Sequence, residues 1–132
     1  MIGVVIVTHS HMAQELCRAA EMILGPLAAL QAVNIEPETS VSEAKDAVFE
    51  AVATVGSDGD GVLILTDLFG GTPTNISAEL LEEGRVEILA GVNLPMLIKC
   101  AGMRATLDLT ELSLLLKEYG RSAIIRPSEL LR

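Results

Sequence analysis

Two short segments hold the residues whose types and spacing could do chemistry. Thr8-His9-Ser10 leaves one apolar run, and Thr66-Asp67-Leu68-Phe69-Gly70-Gly71-Thr72-Pro73-Thr74-Asn75 leaves another. An imidazole beside a carboxylate has a defined use. The carboxylate accepts a hydrogen bond from one ring nitrogen, fixes the tautomer, and leaves the other nitrogen's lone pair free to attack. It also stabilises the positive ring character that develops when phosphorus is bound. His9 and Asp67 form such a pair if the fold brings the two segments together. Taken singly they read more blandly, His9 as a loop or helix-capping histidine and Asp67 as a turn residue.

The residues after Asp67 add an anion cradle. Gly70-Gly71 lets the backbone turn tightly and approach a ligand closely. Thr72 is a good helix N-cap and Pro73 suits the first helical position. A helix starting there presents unpaired N–H groups and a positive dipole end, which favour a phosphate-sized anion. The Thr72 hydroxyl is a further donor, and Ser10 either caps the first helix or lends its hydroxyl to the same phosphate. No lysine of a nucleotide-binding loop follows any apolar run, and no cluster of carboxylates near His9 suggests a metal. The expectation is a site without cofactor or metal that takes its phosphate from another phosphoprotein. His11 is either a second ring in the crevice or an exposed first-turn histidine. Ser57-Asp58-Gly59-Asp60-Gly61 lacks the closing Glu of a calcium loop and reads as a turn.

Positioning these residues falls to an alternation of two patterns. β-rich runs occur at about 2–8, 30–35, 60–66, 86–91 and 122–126, separated by stretches with helical spacing. The first helix, about 11–24, is expected to bury Met12, Leu16, Ala19, Ala20 and Ile23. The second, about 41–55, starts at the capping-box pair Ser40 and Glu43 and buries Val41, Ala44, Val48, Val52 and Val55. The third spans about 73–83 with Ile76 and Leu80 inward. The fourth spans about 94–103 after Asn93. The fifth, about 109–119, has Asp108 and Glu111 at its start, an apolar stripe of Leu112, Leu115, Leu116 and Tyr119, and Gly120 as a stop.

Strands alternating with helices imply right-handed crossovers and a mainly parallel sheet covered on both faces. The continuous apolar runs at 2–7 and 61–65 are the central strands. The expected fold class is α/β, a flavodoxin-like three-layer α/β/α domain over 1–132 with the first and third strands adjacent. In such sheets ligands bind beyond the carboxyl ends of the strands where the winding reverses, which is where His9 and Asp67 meet. The segment 122–126, ended by Pro127, is expected as an edge strand, parallel or antiparallel.

Composition narrows the class. Half of the 132 residues are apolar, mostly aliphatic, with two Phe, one Tyr and no Trp, so there is little surface for stacking bases or a flavin. The net charge of −9 removes the electrostatic attraction on which nucleic-acid binding depends. Cys17 and Cys100 stand apart in apolar helical patterns and read as core thiols. No signal peptide opens the chain and no apolar run spans a membrane, so a cytoplasmic protein is expected.

Taken together, these blocks are recognisable. Val5-Ile6-Val7-Thr8-His9, followed by Ala20-Glu21-Met22-Ile23-Leu24-Gly25, resembles the active-histidine region of mannose-family enzyme IIA domains of the bacterial sugar phosphotransferase system (PTS). Gly61-Val62-Leu63-Ile64-Leu65 leading into Thr66–Asn75 resembles that family's second signature, and Gly91-Val92-Asn93-Leu94-Pro95-Met96-Leu97 its third. The resemblance implies that His9 accepts phosphate from the phosphocarrier HPr and passes it to a IIB protein. It implies that Asp67 partners the histidine and that Thr72 is the small hydroxyl residue near the phosphate. It further implies a homodimer exchanging a C-terminal strand, here 122–126; since the chain ends soon after that segment, no fused IIB domain is expected. The family more usually has Gly where this chain has Ser10. A His-Ser pair is also similar to the phosphotransfer subunit of dihydroxyacetone kinases, but the Asp-Leu-Phe-Gly-Gly-Thr-Pro block favours the mannose type.

Two rivals remain at this level. A lone IIA could act as a regulatory phosphate sensor without a dedicated transporter. A receiver-type module would carry phosphate on Asp67, but it needs an acidic pair after the first strand and a lysine after the last. Thr8-His9-Ser10 and Ile124-Ile125-Arg126 supply neither.

Overall fold

The computed structural model describes residues 1–131. Four strands, β1 (Gly3–His9), β2 (Leu30–Ile35), β3 (Val62–Thr66) and β4 (Val86–Ala90), form one sheet in the order β2-β1-β3-β4. Every pairing is parallel, with Val7 opposite Val33 on β2 and Thr66 on β3. The first and third strands are therefore adjacent at the centre, as the apolar runs require.

The helices are α1 (Met12–Leu24), α2 (Val41–Val55), α3 (Thr72–Ser77, continued by a 3₁₀ turn Ala78–Leu80), α4 (Leu94–Met103), α5 (Leu109–Ser122) and α6 (Pro127–Leu130). They cover both faces. Val4 and Ile6 of β1 point into a layer with Ala13, Cys17 and Ala20 of α1, Leu97 and Cys100 of α4, and Leu112 and Leu116 of α5. Val5 and Val7 point the other way, onto Ala44, Val48, Ala51 and Val55 of α2 and Ile76 of α3. This alternation is why β1 is apolar at every position from Val4 to Val7. Ser40 accepts the Glu43 N–H at 3.1 Å, and Asp108 and Glu111 complete a reciprocal capping box. Both cysteines are free and buried, and burial pushes the Cys17 thiol up to about 11 and the Cys100 thiol to about 12.

Several expectations need correction. On α1, Met12 and Ile23 are exposed, and the smaller Ala13, Cys17 and Ala20 face the sheet. The sequence carries two overlapping apolar stripes there, and the narrower one lets the helix pack closer. On α2, Val41 is exposed and Ala51 takes the buried place expected of Val52. The third helix is shorter than the 73–83 pattern, and its N-cap is Gly71, with Thr72 as first helical residue.

The C-terminal region differs most. Gly120 does not stop α5; it is buried within the helix, where a Cβ would lie 2.6 Å from Met96 Cε of α4. Its missing side chain serves close helix packing. Residues 122–126 form no strand, because no edge pairs with them in the single chain. Ile124 and Ile125 are exposed, and Pro127 opens α6. No helix among the described residues is long and apolar enough to cross a membrane.

Candidate active site

His9 is the last residue of β1, and Asp67 directly follows β3, so the parallel pairing carries both to the same end of the sheet. His9 Nδ1 lies 2.8 Å from Asp67 Oδ2. The same oxygen accepts the His9 backbone N–H at 3.0 Å, and Oδ1 accepts the Leu68 N–H at 3.0 Å. An ionised carboxylate only accepts, so Nδ1 must carry a ring proton, and in the neutral ring Nε2 keeps its lone pair. Burial by itself would raise the Asp67 carboxyl. The side-chain and backbone hydrogen bonds from His9 outweigh it and hold the group below the ordinary aspartate value. The Asp67 side chain is 10% exposed and the His9 ring 50%, so the carboxylate is enclosed while the imidazole stands open.

The glycine loop packs on that ring. A Cβ at Gly71 would sit 2.9 Å from His9 Cε1 and 3.5 Å from Nε2, so only glycine lets the loop backbone reach that edge of the ring undisturbed. Gly70 has φ +91°, in the left-handed region. A cleft of about 540 Å³ opens beside the ring, lined by His9, Ser10, Ile35, Glu36, Pro37, Thr39, Val41 and Thr72. Of the residues singled out in the sequence, His9, Ser10 and Thr72 line this cleft, Gly71 abuts the ring, and Gly70 shapes the turn behind it. His11 does not line it; its Nε2 pairs with the Glu36 carboxylate. No group of three His, Cys, Asp or Glu side chains suited to a metal occurs among the described residues.

Sequence reasoning missed the buried hydroxyls that fix these loops. Thr74 Oγ1 donates to Leu68 O at 2.7 Å, and therefore accepts from Thr66 Oγ1, also at 2.7 Å. Thr8 Oγ1 accepts the Ala13 N–H at 2.7 Å, serving the first turn of α1 where His11, the N-cap, makes no side-chain capping bond. The signal was present: a hydroxyl ending a fully apolar strand must find a partner once buried.

Ser10 occupies the left-handed region at φ 55°, and its N–H bonds Ile35 O at 2.8 Å. This explains why glycine suits the position. Serine tolerates the conformation at modest cost, but a β-branched residue does not. Ser10→Val should lower unfolding free energy by about 1–2 kcal/mol, read from urea melts, whereas Ser10→Gly should not destabilise.

Comparison with known proteins matches residues 3–114 to the EIIA-man family, described as "PTS system fructose IIA component". The chain is 34% identical over 99 residues to the PTS system sorbose-specific EIIA component of Lacticaseibacillus casei, covering 74% of this chain and 70% of that protein. It is 33% identical over 113 residues to the PTS system fructose-specific EIIA component of Bacillus subtilis (strain 168), covering 85% and 77%. The fold resembles the crystal structure of phosphotransferase system component EIIA from Streptococcus agalactiae, with a TM-score of 0.88, 26% identity, and coverage of 98% of this chain and 99% of that one.

Proposed function

This chain belongs to the mannose-type EIIA family of the sugar phosphotransferase system, and on that premise we propose that His9 accepts the phosphoryl group from phospho-HPr and passes it to a IIB protein. One observation carries the assignment. Asp67 occupies Nδ1 of the ring and leaves Nε2 as its free nucleophile. Nε2 attacks phosphorus in line as the N–P bond of the donor phosphohistidine breaks, and the donor imidazole leaves with the electron pair. Passage to the IIB protein is the same exchange with the roles reversed. Asp67 orients the ring and offsets the positive character it gains. The backbone N–H groups of Gly70, Gly71 and Thr72, with the hydroxyls of Thr72 and Ser10, hold the phosphoryl oxygens. Little covalent work falls to the protein, so positioning and electrostatics supply the catalysis.

The rim of the site supports partner docking. Phe69 is 85% exposed, and Leu68, Val41 and Met12 also present apolar surface to solvent. We propose in addition that the protein works in the cytoplasm as a homodimer. β4 is an edge strand, bridged on its outer side only at Val86 by Glu82, and a groove of about 360 Å³ beside it is lined by Leu89, Met96 and the exposed Ile124. Light scattering should give twice the chain mass.

The test of the carrier role is incubation with enzyme I, HPr and phosphoenolpyruvate. One phosphate per chain is expected, stable in base, labile in acid, and located on His9 Nε2 by NMR. A base-labile phosphate on Asp67 would replace this reading with the receiver type. Gly71→Ala offers a finer check. Its φ of −89° suits alanine, so the melting temperature should hold, but the displaced ring should accept phosphate about tenfold more slowly.

A further inference from the structure

The chain's two histidines are used in parallel ways on either side of β1. His9 pairs with Asp67, which follows β3 on one flank, and His11 pairs with Glu36, which follows β2 on the other. The two carboxylates differ in place. Asp67 is nearly enclosed behind the ring, whereas Glu36 lines the cleft in which the phosphoryl group is to sit. The Glu36 backbone N–H is tied to Thr39 Oγ1 at 3.1 Å, and Ile35 is locked to Ser10, so the carboxylate's root cannot swing away. No lysine or arginine lines this cleft. An anion at its wall therefore repels an incoming phosphoryl group, and the imidazole of His11 is the one basic group bonded to it among the described residues.

We propose that His11 is a positioning residue for the phosphate site, its Nε2 contact holding the Glu36 carboxylate against the cleft wall, so that this pair sets how much phosphate His9 retains at equilibrium. The inference rests on His9 as the carrier. Without His11 the Glu36 carboxylate is free to face the phosphoryl oxygens, and the phosphorylated state is raised relative to the donor's. Without Glu36 there is nothing to hold back, and His11 becomes dispensable. The effect is a coupling between two side chains, which a double-mutant cycle isolates.

The experiment measures the equilibrium partition of radiolabelled phosphate between HPr and this protein, for wild type, His11→Ala, Glu36→Gln and the double variant, at low and high salt. His11 is 61% exposed, and Glu36→Gln preserves shape, so all four should fold, which melting curves verify. His11→Ala should reduce the phosphorylated fraction relative to HPr about three- to tenfold, the scale of one charge at a partly exposed site. Glu36→Gln should raise it, the double variant should match Glu36→Gln, and salt should narrow the differences. A double variant as poor as His11→Ala would assign His11 a purely structural role and overturn the proposal, as would a His11→Ala protein equal to wild type. Wild type that takes no phosphate on His9 would instead refute the carrier reading itself.

Discussion

His9→Ala should leave a folded protein that takes no phosphate from phospho-HPr. The ring is half exposed, so its removal opens no cavity in the core. Asp67 keeps two of its three hydrogen bonds, from the His9 and Leu68 backbone N–H groups. The cost in stability is therefore confined to one lost bond to a charged group, about 1–3 kcal/mol. The chemical loss has no comparable cushion. No other side chain of this cleft is a nucleophile suited to neutral pH, since Ser10 and Thr72 are hydroxyls without a base; His11, outside the cleft, turns its Nε2 to Glu36. Labelling should fall by at least ~10⁴-fold, the scale seen when a nucleophile is removed from a preorganised site. Mass spectrometry of the intact chain after incubation with enzyme I, HPr and phosphoenolpyruvate provides the readout. Persistent addition of one phosphate would move the nucleophile elsewhere.

Asp67→Asn should cost nearly as much, for a different reason. Each carboxylate oxygen faces a backbone N–H, from His9 at Oδ2 and from Leu68 at Oδ1. An amide has only one oxygen, so one of those donors must meet an NH₂ group. If the NH₂ takes the Oδ2 place it also confronts His9 Nδ1, which must then become the acceptor. That shifts the ring proton to Nε2 and blocks the nucleophile. If the oxygen takes that place, the tautomer survives but Leu68 N–H faces a donor and the compensating charge is gone. Phosphoryl acceptance should drop ~10²–10⁴-fold, comparable with charge removal from the orienting aspartate of a catalytic triad. Transfer kinetics by rapid quench would measure it, and a rate within twofold of wild type would remove Asp67 from the mechanism.

The same carboxylate sets an acid limit on stability. Its folded-state value lies below the ordinary one, so the stabilisation it gives is complete above the unfolded value, about 3.9, and is lost as pH falls through the folded value. The gap in urea midpoint between wild type and Asp67→Asn should stay constant from neutrality down to about pH 5 and close below about pH 4. A gap that instead widened on acidification would reverse the sign of the assigned shift.

Much of this molecule is written in local pattern. The unbroken apolar runs of β1 and β3 can only be strands buried on both faces, and two such strands beside each other put His9 next to Asp67. The caps at Ser40, Asn93 and Asp108 form as their side-chain chemistry requires, since a cap involves neighbours three residues apart. Those features depend on residues close in sequence, or on a sheet order that the apolar pattern itself restricts.

The rest depended on which surfaces meet. Nothing in the spacing of α1 chooses between its two stripes; the sheet does, by accepting the narrower one. Gly120 carries the signature of a helix stop, yet Met96 of α4 needs the space a side chain would take. The segment at 122–126 has the composition of a strand but pairs with neither edge of the sheet, and a strand exists only through its partner. Gly71 against the imidazole, and Glu36 turned toward His11, likewise follow from loops brought side by side by distant strands. Sequence alone determined most of the elements and the meeting of His9 with Asp67, because periodicity and capping are short-range. Tertiary structure decided the helix faces, the C-terminal path and the second histidine's partner, because close packing and charge pairing act between segments far apart in the chain.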